Sequence, residues 1–474
     1  MRLNSTQEEI TFWKRVLFTS VPLIVLFSAF AEWVLTSAPK NPLAVFAAAI
    51  VAFLFALAGI RFIPQWMAAW SKKPWLPERP EEGRRSARKS RMHPILQLVL
   101  YLALFRVFLF LLAYLISLLQ AGYTGGLFDH LDLWNQLGTD SQHYQNIAEH
   151  GYVNTGDDRL LIVFFPLYPA LVRAFAAVFR NYLVSGLLVS NLCWVGAAYL
   201  FYELALLDTD RKSALRALKY LCILPASFLF SAPLSDSLFL LLSVACVYAA
   251  RKRLYPLAGV FGFLAAFTRM PGILVLVPVL FELVGEIIRE RVLHLGRKPA
   301  DLRWKRKTAA NLLSLLLIPA GFLAYLYIND RVTGNALMFL TYQREHWHQQ
   351  LGWFFCSMAT IVQNATTNFS DNTQMLWGLW IPSIVSLLAS LGIVTAAQNK
   401  LRASNVAYFL AYYAVCMGAT WLLSAPRYLT AAYPLALALG ALTQKKWVDR
   451  LATAICIVLF VLYLIAFVNQ WYVY

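Results

Sequence analysis

The chain has 474 residues, of which 60% are hydrophobic, 15% aromatic and 14% charged, with a formal net charge of +17. That is too apolar for a soluble domain of this size and points to a polytopic membrane protein with an all-α, helical-bundle fold. The charge does not point to nucleic acid, because it is broken into short blocks between apolar runs and forms no basic face on a folded domain.

Thirteen apolar runs are candidate spans: residues 16–36, 43–61, 94–119, 183–206, 217–232, 236–250, 256–269, 271–288, 309–328, 377–396, 405–424, 429–442 and 449–470. Several fall short of the roughly 20 residues a crossing requires, so they extend into polar flanks or are broken. The first run is followed at once by a second, which marks it as a span and not a cleaved signal peptide, so the whole chain is expected to be retained. Residues 1–93 divide off as a two-span hairpin with a basic linker, "SKKPWLPERPEEGRRSARKSR", which is either a solvated topogenic loop or a binding segment. Residues 94–474 form the main domain, and no internal repeat is visible.

With the N-terminus inside, the inner segments are 1–15, 61–93, 207–219, 251–253, 287–308, 397–404 and 443–450, and they hold 32 of the 41 Lys and Arg. This obeys the positive-inside rule loop after loop. The other side receives two long loops, 120–182 and 329–376, with five of the seven histidines. One further run, 160–179, would invert every later loop if it crossed, so it is expected to be re-entrant or interfacial. Pro166 and Pro169 interrupt it, and Arg173 and Arg180 lie seven residues apart on one face, as in a helix in the headgroup plane.

The first outer loop carries "TDSQHYQNIAEHGY", residues 139–152. Tyr144, Ile147 and Ala148 recur at helical spacing, Thr139 or Asp140 stands at the cap position, and Gly151 follows the end. Asp140 at a helix N-terminus stays ionised and can accept a proton from a hydroxyl, with His143 one turn along and Tyr144 beside it; the alternative role for Asp140 is a plain cap. Three polar interruptions fall at the same outer face: "PLSDSLF" with Ser235 and Asp236, "FTRMPG" with Arg269, and "SAPRYL" with Arg427 and Tyr428. Two guanidinium groups at headgroup depth suit a lipid phosphate, or they snorkel to ordinary headgroups. Ser235 and Asp236 either contact substrate or cap the following helix.

In the second outer loop, Tyr342, Gln343, His346 and Trp347 combine rings and amides as a sugar face requires, and equally as an interfacial aromatic belt does. A metal site from Asp140, His143, His346 and His348 is conceivable, but neither loop holds a compact ligand motif. Arg106 lies inside a span, where an unpaired charge costs on the order of 3 kcal/mol, and Glu203 is the expected partner by depth. The six cysteines form neither a disulfide framework nor a zinc spacing.

Together with "FFPLYPALVR", "PLSDSLFLLLSVACVYAARK", "AGVFGFLAAFTRMPG" and "SAPRYLTAAYPL", the 139–152 stretch resembles the PIG-V type of membrane mannosyltransferase, within the GT-C class of polyprenyl-phosphate-sugar-dependent glycosyltransferases. The resemblance covers roughly residues 94–440; where family members usually have Trp-Asp and Ser-Glu-Ser, this chain has Thr139-Asp140 and Ser235-Asp236-Ser237. It implies inverting transfer of mannose or a related sugar from a polyprenyl-phosphate donor to a lipid or glycan acceptor. It further implies no catalytic metal or cofactor, the lipid-linked sugar being a substrate, and an active-site floor built by the first outer loop. The expected setting is a bacterial cytoplasmic membrane, with membrane lipids as neighbours and the site on the extracytoplasmic face. Two other classes stay open: a lipid or sugar transporter or flippase, which would place its polar residues near the midplane in related halves, and a non-catalytic subunit of a glycosylation complex.

Overall fold

The computed structural model describes residues 2–39, 41–69, 92–120, 122–135, 139–293 and 302–473; the basic linker lies outside the described residues. Among these residues the chain is helical, apart from one isolated antiparallel bridge between Leu351 and Ala419. Eight helices are long and apolar enough to cross a bilayer: Thr19–Thr36, Pro42–Ala68, Ile95–Gln120, Tyr182–Leu206, Met270–Glu290, Arg306–Thr333, Thr373–Lys400 and Lys446–Val468. The chain is an integral, multi-pass membrane protein.

The remaining five apolar runs are shorter or broken helical stretches inside the bundle: 211–231, Asp236–Arg251, Tyr255–Ala266, Ala403–Cys416 and 425–442. Prolines explain the breaks, since each removes a backbone donor. Pro225 and Pro233 bracket the turn after Arg211–Ile223, and Pro434 separates Ala425–Ala431 from Pro434–Leu442. Carbonyls freed at such breaks need partners in an apolar medium, and side chains supply them. Ser237 Oγ donates to Phe230 O (2.6 Å), Asn191 Nδ2 to Ser231 O (3.1 Å) and Ser190 Oγ to Leu234 O (3.2 Å). The run predicted at 405–424 ends as a helix at Cys416, and residues 417–424 form a loop.

Small residues allow close helix contacts. A Cβ on Gly259 would collide with the backbone oxygen of Ser314, and one on Gly321 with that of Phe263, so Tyr255–Ala266 touches both Leu302–Leu315 and Leu317–Thr333 backbone to backbone. The N-terminal hairpin is joined to the rest: Phe55 packs on Phe354 with ring centroids 4.6 Å apart, and Asn41 Nδ2 donates to Thr366 Oγ1 at 2.6 Å. Its second helix therefore lies directly on the Phe354–Thr367 helix of the second outer loop.

Polar contacts collect at the two ends of the bundle. At one end Arg251 makes a two-pronged bond to Asp208 (2.7 and 2.8 Å), and Arg402 does the same to Glu282 (2.6 and 2.8 Å), which also accepts from Ser404 Oγ. Lys219 bonds Asp449 (2.7 Å) and Arg216 bonds Thr443 O (2.7 Å) at that end. Segments 207–219, 251–253, 397–404 and 443–450, assigned to one side from charge, are thus brought together. The opposite end gathers residues of 120–182, 233–239, 267–272, 329–376 and 424–429.

Arg106 corrects one expectation. It is 3% exposed and bonds Ser231 Oγ (3.0 Å) and Ser227 O (3.3 Å), with its guanidinium carbon 3.4 Å from the Trp194 ring centroid. Glu203 is not its partner, because Trp194 lies nine residues earlier on the same helix, about 13 Å along the axis. The π face of an indole and a carbonyl stand where a carboxylate was expected.

Candidate active site

The Ser141–His150 helix forms where the pattern places it, with Tyr144, Ile147 and Ala148 buried and Gly151, at φ 82°, closing its C-terminus. It is fixed from three directions. Asn135 Oδ1 accepts from Ser141 Oγ (2.8 Å) and Gln145 Nε2 (2.6 Å), and Tyr144 OH pairs with Ser235 Oγ (2.8 Å). Arg173 donates to the end carbonyls Ala148 O (2.6 Å) and Glu149 O (3.0 Å). Arg173 is therefore a C-terminal clamp for this helix and not a headgroup anchor. The 160–179 run breaks at Phe164–Pro166 into Asp157–Val163 and Leu167–Phe179, bent by 113° to each other.

Asp140 occupies the cap position but makes no side-chain capping bond. Its Oδ2 accepts instead from Arg427 Nη2 at 2.8 Å, across 287 residues of sequence. The Asp140 side chain is 35% exposed, open to the cavity beside it, whereas that of Arg427 is 4% exposed. Burial among protein would raise the Asp140 carboxyl; the charge and hydrogen bond of Arg427, with Arg269 and His143 adding to them, bring it below its ordinary value.

Beneath this pair lies Asp236, 1% exposed, the first residue of the Asp236–Arg251 helix. Its Oδ1 bonds Arg269 Nη1 and lies 3.7 Å from Arg427 Nε. Both guanidinium groups face the Tyr428 ring, at 5.0 Å for Arg269 and 5.3 Å for Arg427. Two acids and two bases thus alternate over a few ångströms, from four segments far apart in sequence.

Above them opens a cavity of about 280 Å³. Asp140, Arg269, Arg427, Tyr144 and Tyr428 line its floor, and Gln343, Trp347, Gln349, Gln350 and Trp421 the facing wall. Phe164, Phe165, Met270, Leu340 and Leu423 supply apolar lining. The wall joins two loops by backbone bonds, Gly352 N to Gly418 O (2.7 Å) and Thr420 N to Gln350 O (2.9 Å). His143, Ser235, Asp236, Tyr342 and His346 do not line it. His143 stacks on Phe164 (centroids 5.1 Å apart), Ser235 and Asp236 are buried below, Tyr342 is half-buried, and His346 is exposed with its ring edge-on to Tyr342 (6.0 Å). No group of three or more His, Cys, Asp or Glu among the described residues is placed to hold a metal ion.

Several contributors escaped the sequence pattern. Gln349 and Gln350 sit beside the predicted cluster, but Trp421 was assigned to a span; Gly418 and Thr420 inside that run were the signal of a break. Asn135 and Arg173 act through side-chain bonds to neighbouring segments, which no residue pattern announces.

No protein-family model matches the chain, and no curated protein shows significant similarity to it. Among solved structures it is similar to the Archaeoglobus fulgidus oligosaccharyltransferase in its apo form, with TM-score 0.39 and 12% identity over 81% of this chain and 56% of that one. The form tethered to an acceptor peptide gives TM-score 0.39 and 13% identity over 81% and 56%. The archaeal oligosaccharyltransferase AglB with an inhibitory peptide and a dolichol-phosphate gives 0.35 and 12% over 78% and 56%. The chain spans a little over half the length of these structures, and at such scores the likeness assigns no activity.

Proposed function

We propose that this protein is a membrane glycosyltransferase that moves a mannosyl or related sugar from a polyprenyl-phosphate donor to a hydroxyl acceptor on the extracytoplasmic face, with inversion. The observation that carries the proposal is the juxtaposition, at one cavity, of a carboxylate open to that cavity and two arginines beside it, Arg427 buried and Arg269 largely so. The acceptor oxygen attacks the anomeric carbon, its proton passes to Asp140, and the bond from that carbon to the phosphate oxygen breaks. The leaving group is the polyprenyl phosphate, whose growing charge Arg269 and Arg427 stabilise from a site that is largely dry.

The ion pair gives this chemistry an order. While Arg427 holds Asp140, the carboxylate is ionised but a weak base. A phosphate arriving at Arg427 competes for the same N–H groups, loosens Asp140 and restores its basicity. The 32 of 41 basic residues carried by the opposite loops support an extracytoplasmic opening for the site.

The test is transfer by the purified full-length protein in nanodiscs, supplied with polyprenyl-phosphate mannose and a membrane glycolipid extract, with products read by mass spectrometry. Formation of a mannosylated product with release of polyprenyl phosphate supports the proposal. Movement of the lipid phosphate between leaflets without any transfer would replace it with transport.

A further inference from the structure

The two residues beneath the floor contact both arginines and the helix that follows Asp140, and do not line the cavity. We infer that Ser235 and Asp236 are a positioning pair: Asp236 aligns both phosphate-binding arginines, and Ser235 fixes the helix that presents Asp140. The inference rests on the glycosyltransferase reading above, since it concerns the same arginines.

Arg269 and Arg427 both face one aromatic ring at about the same distance, so two cations are held close in a space with little water. Their repulsion is strong there and drives them apart unless an anion lies between them. Asp236 Oδ1 is that anion, bonded to Arg269 and 3.7 Å from Arg427. Nε of Arg427 is buried without a hydrogen-bond partner, so the orientation of its inner edge depends on the nearby charge of Asp236 and not on a bond. Asp236 itself lies in the first turn of its helix, where the backbone favours a negative charge. One residue earlier, Ser235 Oγ meets Tyr144 OH, and Tyr144 stands four residues after Asp140. The step from Ser235 to Asp236 therefore sets the arginines and the acid in one frame.

Electrostatics and positioning predict opposite signs for the same change. Asp236→Asn adds one net positive charge next to the phosphate position. If Asp236 only balanced charge, a phosphate would bind more tightly. If it aligns the two guanidinium groups, the phosphate loses its paired donors and binds more weakly.

The probe is citronellyl phosphate, titrated against the full-length protein in nanodiscs. Asp236→Asn should raise its Kd about 10-fold and raise the donor KM likewise, with a smaller loss in kcat at saturation; a merely misfolded fraction would lower kcat and leave both constants unchanged. Asp236→Glu keeps the charge but displaces the carboxylate by one methylene, and should raise Kd several-fold even if the Asn variant fails to fold. Ser235→Ala should lower kcat several-fold with probe affinity unaltered. Equal or tighter binding by Asp236→Asn, or parent-like affinity in Asp236→Glu, overturns the inference while leaving the donor site in place. A parent protein that does not bind citronellyl phosphate overturns the donor-site reading, and the inference with it.

Discussion

Replacing Asp140 by Asn separates catalysis from architecture, because the structure limits what else the change can do. Asp140 makes no capping bond, so no helix N-terminus loses its cap. The one contact at risk is the 2.8 Å bond from Arg427. Asn Oδ1 still accepts it, and what is lost is the difference between a charged and a neutral acceptor, about 1 kcal/mol. Arg427 also keeps Asp236 3.7 Å away, so its charge is not stranded. Against this small structural cost stands the loss of a positioned base, roughly 10²- to 10⁴-fold in rate. That corresponds to about 3–5 kcal/mol in the barrier and none in the fold. Turnover with polyprenyl-phosphate mannose, normalised to monodisperse protein, should fall by that factor, with melting temperature near that of the parent and citronellyl phosphate affinity equal or higher, since a charged competitor for Arg427 is gone. A well-folded Asp140→Asn protein within a few-fold of normal turnover would refute the assignment and move the base elsewhere.

Arg269→Lys and Arg427→Lys should each weaken citronellyl phosphate binding about 10-fold despite keeping the charge, since the planar two-donor geometry is lost; parent-like titrations would reduce both arginines to headgroup anchors. The Asp140 carboxyl lies below its ordinary value in the folded protein, so the stability it contributes is complete above the unfolded value, about 4, and is lost as pH falls through the lower folded value. In turnover, the acid limb of kcat/KM, which reports the free enzyme, should lie below about pH 4, and that of kcat at higher pH, because bound phosphate has taken Arg427; coincident limbs would argue against the exchange. With Cys356 replaced by Ser, Thr155→Cys and Arg180→Cys should both be labelled from outside intact cells by an impermeant reagent, and protection of either would break the topology. Gly321→Ala should cost about 1–3 kcal/mol, read as a lower melting temperature, because its Cβ meets the Phe263 backbone and not a movable side chain.

What the sequence disclosed follows the range of each interaction. Apolar length marks spans locally, and the 3.6-residue period of Tyr144, Ile147 and Ala148 marks the short helix, so both could be found by inspection. Charge asymmetry grouped the loops, because it acts through many residues at once. The short stretches were harder: Ala403–Cys416 and the loop after it look like one run, since burial inside protein lets a helix end early without a polar signal. Depth alone misassigned Arg106, because a Trp face is no less apolar on paper than its neighbours. The pairing of Asp140 with Arg427 and of Asp236 with Arg269 leaves no local pattern; the residue types were visible, but not who holds whom. Arg173 shows the same limit, since seven-residue spacing from Arg180 said nothing of the carbonyls it clamps.

The ion pairs at the two ends of the bundle carry a consequence for biosynthesis. Glu282 is made 120 residues before Arg402, its bonded partner, and Asp140 is made 287 before Arg427. At about 5–20 residues per second, Glu282, with Arg251 already made and 3.9 Å away, waits roughly 6–24 s for its two-pronged partner, and Asp140 waits roughly 14–57 s for Arg427. A nascent chain therefore enters the bilayer with acids whose bonded partners are not yet made, and the early helices stay ajar at the water-facing ends until the late ones arrive. Synthesis of the segment around Arg402 draws one end shut, and Arg427 completes the opposite one, so the chain gains its candidate site only when nine-tenths of it has been made.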